Sequence, residues 1–99
     1  MSAKSITVVA TFEARRGKEE ELRKALLTLV AHTHKEAGCL NYDLHVLPED
    51  PTKFLFHENW TSKELLDAHL NSVHIAALLP RLDELCVAFP EIKVWQKIS

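Results

Sequence analysis

The sequence is poor in the residues that mark several kinds of chemistry, and each shortage removes a function class. Its two cysteines, Cys39 and Cys86, stand far apart, without the paired spacing of a zinc knuckle or a redox motif. Both are expected to be reduced, partly buried thiols, because a cytosolic setting argues against joining them. Two glycines and four prolines are too few for a linker or a disordered tail. Excess positive charge is absent as well. Twelve Lys and Arg against fourteen Asp and Glu leave a formal charge of −2, so no positive field exists to release counterions from a nucleic acid backbone, and nucleic acid is not an expected partner. No apolar run approaches the ~20 residues a membrane helix requires. The opening MSAKSITVVATFEARR alternates apolar with polar residues where a signal peptide would be continuously apolar. A cytoplasmic protein without a membrane partner is the expectation.

What is present fits one domain spanning residues 1–99, in the size range of a single hydrophobic core. Ile6, Val8, Ala10 and Phe12 alternate with Thr7, Val9, Thr11 and Glu13, the period of a half-buried strand. Leu22, Ala25, Leu26, Leu29 and Val30 then recur at helical spacing behind the acidic turn Glu19, Glu20 and Glu21, which suits the helix dipole, and Gly38 is read as the left-handed cap. Leu40, Tyr42, Leu44 and Val46 form the inward side of a second strand. A Pro-Glu-Asp-Pro turn leads from it into a third carrying Phe54, Phe56, Glu58 and Trp60. Thr61 with Glu64 reads as a capping box for a short helix through Leu65, Leu66 and His69. Ser72 caps a further helix through Ile75, Leu78, Leu79, Leu82 and Leu85, in which Pro80 fits only near the start or at a kink. Ile92, Val94 and Ile98 mark the last strand.

The order βαββαβ predicts an α+β fold of the ferredoxin-like kind, with both helical segments on one face of a four-stranded antiparallel sheet. The other face then carries Val9, Leu47, Leu55 and Trp95 among polar residues, an apolar content poorly suited to water. A homodimer packing sheet against sheet would cover it. In the hairpin, pairing Leu47 with Leu55 would set His45 across from His57 and Asp43 across from Asn59, on the face away from the helices.

The segment Gly38 to His74, GCLNYDLHVLPEDPTKFLFHENWTSKELLDAHLNSVH, resembles the signature region of antibiotic biosynthesis monooxygenase domains, in particular small quinol monooxygenase-like proteins. The Gly-Cys start, Tyr42, the Pro turn, the Glu-x-Trp of Glu58 and Trp60, and the histidines His69 and His74 match in order and spacing. The resemblance implies a dimeric α+β barrel. In enzymatic members it implies oxygenation of quinol-like or anthrone-like compounds without flavin, haem or metal, so no cofactor is expected. Such a protein contributes a base, an aromatic wall and a dry pocket, since a deprotonated electron-rich substrate can reduce oxygen itself. The haem-degrading branch uses an asparagine on the first strand and a histidine in the last helix, and those positions fall here at Ala10 and about Leu79. Neither can do that work.

Strand parity and helix spacing turn Tyr42, Phe56, Glu58, Trp60, His69 and His74 toward one another. Glu58, His69 and His74 are the candidate catalytic set, with Glu58 raising the basicity of an imidazole, and Tyr42, Phe56 and Trp60 are the candidate substrate-binding wall. Much of the aromatic content would serve the core whatever the function. A metal is not expected, because His69 and His74 lie five apart across a helix cap, while His32 and His34 read as solvated. The leading expectation is a cofactor-independent monooxygenase acting on a small aromatic or quinol-type compound. Its rivals are a dimeric module that binds a small hydrophobic ligand without turnover, and a cofactor-free isomerase.

Overall fold

In a computed structural model that describes residues 5–99, the elements run β1 (Ile6–Glu13), α1 (Glu19–Thr33), β2 (Cys39–Leu47), β3 (Asp50–Trp60), α2 (Lys63–Leu70), α3 (Val73–Leu85) and β4 (Glu91–Trp95). Residues 1–4, the start of the segment read above as lacking a leader, lie outside the described residues. The sheet has the order β2-β3-β1-β4 with every pair antiparallel, which is the ferredoxin-like α+β arrangement expected from the element order. No helix among the described residues is long and apolar enough to cross a membrane.

Alternation along β1 and β3 decides which side chains meet the helices. Val8, Ala10 and Phe12 are buried on the same face as Phe54, Phe56, Glu58 and Trp60, and Leu22, Leu26 and Leu29 of α1 close over them. The opposite face holds a polar ladder. Thr7 donates to Asn59 at 2.6 Å, Asn59 to Asn41 at 2.8 Å, and Asn41 to the His57 carbonyl at 3.0 Å.

Several local expectations are corrected by the structure. Gly38 does not cap α1: that helix ends at Thr33 with His34 still helical, and Gly38, at φ 84°, turns the chain into β2. A bulge between Cys39 and Asn41 carries Leu40 off the inward face, leaving it exposed, and Cys39 packs on the core instead. Ser62, not Thr61, caps α2, because its extended backbone lets Oγ accept from the Leu65 amide at 3.2 Å. Of the two places expected for Pro80, the helix start is excluded, because it sits well inside α3.

The hairpin register differs by two residues. Leu47 pairs with Asp50 across a tight turn, and a bulge follows before Val46 meets Phe54, so His45 faces Leu55 and Asp43 faces His57. Asp50 holds that bulge by accepting from the Thr52 amide at 3.2 Å and the Thr52 hydroxyl at 2.7 Å. A two-residue shift preserves the face each side chain points to, which is why the burial pattern survives the wrong pairing.

β4 pairs with β1 alone and forms one edge of the sheet. All of it is exposed, including Ile92 and Val94, which strand parity turns toward the helices.

Candidate active site

Ile92 is uncovered because a cavity of about 220 Å³ lies between α3 and the β1–β4 side of the sheet. Tyr42, Phe56, Glu58 and His69 form its polar and aromatic end, and Leu78, Leu79 and Leu82 of α3 form its apolar roof. Four of the six expected site residues therefore share one cavity. Trp60 is fully buried beside it, with its ring 4.6 Å from that of His69. Aromatic contacts run on from there: His69 and Phe56 both pack against Tyr42, at 5.2 and 4.4 Å between centroids.

Glu58 is 3% exposed and accepts a hydrogen bond from the Trp60 indole Nε1 at 2.9 Å. Two residues apart on one strand face, these side chains lie next to each other by the pleat alone. Burial pushes the Glu58 carboxyl up to about 7, against the opposing pull of the indole hydrogen bond. Near neutrality both its forms are populated, as general acid–base work requires. Tyr42 is driven the other way from use as an anion: burial first, and then the Glu58 charge, raise its phenol far above the usual range. Tyr42 is therefore a neutral part of the cavity wall.

The expected pairing of Glu58 with an imidazole is not what forms. The carboxylate beside the histidines is Glu36, in the turn between α1 and β2. Its Oε1 lies 2.7 Å from His69 Nδ1, and its Oε2 lies 2.6 Å from His74 Nε2. His69 is 2% exposed, and burial lowers its pKa despite Glu36. With Nδ1 turned to Glu36, Nε2 is the ring nitrogen left for the cavity. His74 joins this cluster but does not line the cavity. His32 and His34 are both exposed, as expected; His32 also stacks on His74 at 5.3 Å with rings 15° apart, and His34 Nε2 lies 3.1 Å from the Tyr42 carbonyl. The donor atoms of Glu36, His69 and His74 all fall within 4.8 Å of one another, a group among the described residues that could hold a metal ion. Sequence reading missed Glu36 because nothing in a helical or strand period marks a turn residue; the chain reversal at Gly38 was the available signal.

A family model described as antibiotic biosynthesis monooxygenase matches residues 5–81. The chain belongs to this family. Among solved structures it is similar to PA3566 from Pseudomonas aeruginosa, with TM-score 0.93 and 30% identity over 100% of this chain and 99% of that one. Rv0793 from Mycobacterium tuberculosis follows the same path at TM-score 0.89 and 25% identity, covering 96% of each chain. A structure named as an antibiotic biosynthesis monooxygenase gives TM-score 0.88 at 26% identity, over 95% of this chain and 99% of that one. No curated protein matches.

Within the antibiotic biosynthesis monooxygenase fold, Ala10 and Leu79, the positions compared with the haem-degrading branch, are both apolar cavity wall. They offer no ligand atom.

Proposed function

We propose that the chain is a cofactor-independent monooxygenase acting on a small aromatic or quinol-type compound held between the sheet and α3. The carrying observation is the cavity itself: apolar on most sides and closed at one end by aromatic rings, with a buried carboxyl near neutrality and a histidine in its wall. Family membership supports the reaction class.

In this reading Glu58 takes the proton from a substrate hydroxyl or an activated C–H, and His69 orients the oxygen that carries the resulting charge. The electron-rich anion then reduces oxygen directly. For an anthrone-type CH₂, one oxygen atom becomes the new carbonyl and the other leaves as water, with all electrons supplied by the substrate. A dry, apolar enclosure protects the anion from reprotonation by solvent. Oxygen uptake by metal-stripped protein with a panel of hydroquinones and anthrones tests this directly. Turnover that falls by about 100-fold or more in Glu58→Gln supports it; no uptake across the panel removes it.

The Trp60–Glu58 hydrogen bond favours one rival reading, a binding module in which Glu58 is a fixed anchor for a ligand hydroxyl. Saturable binding of the same compounds without oxygen uptake identifies that case.

The working unit in this proposal is a homodimer. The exposed edge strand β4 and the apolar residues of the outer sheet face, Trp95 foremost at 56% exposure, support it.

A further inference from the structure

Glu36, His69 and His74 come from three separate segments, the α1–β2 turn, α2 and α3, and meet at one point. Glu36 is only 19% exposed, and no Lys or Arg among the described residues pairs with it. A carboxylate so placed needs positive charge or several hydrogen bonds. One hydrogen bond is made, with His69 Nδ1 at 2.7 Å. The second approach is different: His74 Nε2 is as near as 2.6 Å, yet it is buried and makes no aligned hydrogen bond among the described residues. This nitrogen is thus a buried ring atom turned toward a carboxylate oxygen with its own bonding unmet, a lone pair left available to a third centre.

We infer that Glu36, His69 and His74 form a binding site for a divalent transition-metal ion of the zinc class. Two imidazole nitrogens and one carboxylate oxygen are a donor set that such ions accept, with bonds of about 2.0 to 2.2 Å and neighbouring donors about 3.3 Å apart in a tetrahedron. The donors here already lie within 4.8 Å of one another, and small side-chain rotations that open the two carboxylate–imidazole contacts from 2.7 and 2.6 Å to the tetrahedral spacing would admit an ion. The dication supplies the charge that Glu36 lacks. Access exists too: His74 and His32 line a groove of about 430 Å³ between α1 and α3, which leads to the cluster from outside. His32, lying parallel against His74, holds that ring's plane.

The site is distinct from the cavity. Neither Glu36 nor His74 lines it, and His69 is the one residue common to both. An ion bound here pins the α1–β2 turn to the α2–α3 junction and fixes the His69 ring from behind. The inference therefore goes beyond the oxygenase reading, and neither depends on the other: oxygen uptake is measured on stripped protein, and metal binding without any substrate.

The test is calorimetric titration of the chelator-treated protein with Zn²⁺, with Co²⁺ as a spectroscopic probe. The expected result is one ion per chain at micromolar affinity or tighter, visible Co²⁺ ligand-field bands, and a rise in Tm on metal addition. Glu36→Gln and His74→Ala are each expected to weaken binding by about 100-fold or more, whereas the double variant His45→Ala, His57→Ala on the opposite sheet face leaves it unchanged. If His74→Ala fails to fold, His74→Gln keeps the bulk, and Zn²⁺-induced shifts of the His69 and His74 ring resonances in the unmodified protein read the same site. Absence of saturable one-to-one binding overturns the inference. So does affinity that survives in both Glu36→Gln and the His74 variant, or that follows the outer-face histidines.

Discussion

Glu58 shows how one side chain's surroundings turn position into chemistry. Its place on the inward face of β3 follows from alternation, and that face is where a carboxylate costs most. Its pKa in the folded chain is raised from 4.5 to about 7, so between those values the native state binds more protons than the unfolded one and stability falls as pH rises. The benefit is fully present below 4.5 and gone above about 7, a difference on the order of 3 kcal/mol. Denaturant titrations from pH 4 to 8 are expected to show this decline in the native chain and its loss in Glu58→Gln, which keeps only the opposite rise toward pH 6.5 that the lowered His69 pKa contributes. Activity should run in the opposite sense: a base works deprotonated, so turnover rises through pH about 7. Because the indole hydrogen bond holds that pKa down, Trp60→Phe should move the rising limb to higher pH, which a pH–rate profile reads directly.

At the scale of elements, the turn between α1 and β2 matters more to the site than either element it joins. Gly38 has φ 84°, and a Cβ built there would meet Leu65 Cδ1 at 2.5 Å. The Gly38 carbonyl also accepts from the Thr61 amide at 2.9 Å. This close approach seats the turn against α2, and Glu36, two residues earlier, thereby reaches His69, one helical turn beyond Leu65. Gly38→Ala is expected to cost about 2 to 4 kcal/mol, from left-handed strain plus the clash with Leu65, and to separate Glu36 from His69. Gly17, at φ 87° with nothing within 4 Å of its built Cβ, carries only the strain; Gly17→Ala should cost about 1 kcal/mol. Urea unfolding of the two variants side by side checks the difference.

For the molecule as a whole, the unanswered surface is the outer sheet face and its β4 edge. Trp95 is paired opposite Thr7 at the margin of the polar ladder. Val94, its neighbour on the other face, is 63% exposed. If the proposed homodimer forms through this face, a tryptophan beside groups already hydrogen-bonded to one another would be its apolar anchor within a polar surround. In the proposed homodimer, Trp95→Ala should weaken association by at least about 2 kcal/mol, roughly thirty-fold in Kd. Sedimentation at micromolar concentration measures it, and a native chain sedimenting at 11.3 kDa defeats the proposal.

The periodicities alone determined the order of elements, the inward faces of β1 and β3, the helical stripe of α1 and the gathering of Tyr42, Phe56, Glu58 and His69, because alternation and helical spacing act over a few residues and are written directly in the chain. Register, caps and bulges were not legible in that way. Leu40 left its expected face at a bulge, and the hairpin slid by two residues around Asp50 and Thr52, since both depend on backbone hydrogen bonds that no side-chain pattern records. The partner of the histidines was beyond reach for a related reason. Glu36 is separated from His69 by two strands and meets it only because Gly38 folds the turn onto α2. Which carboxylate stands beside which imidazole is a fact of long-range packing, and only the tertiary structure decided it.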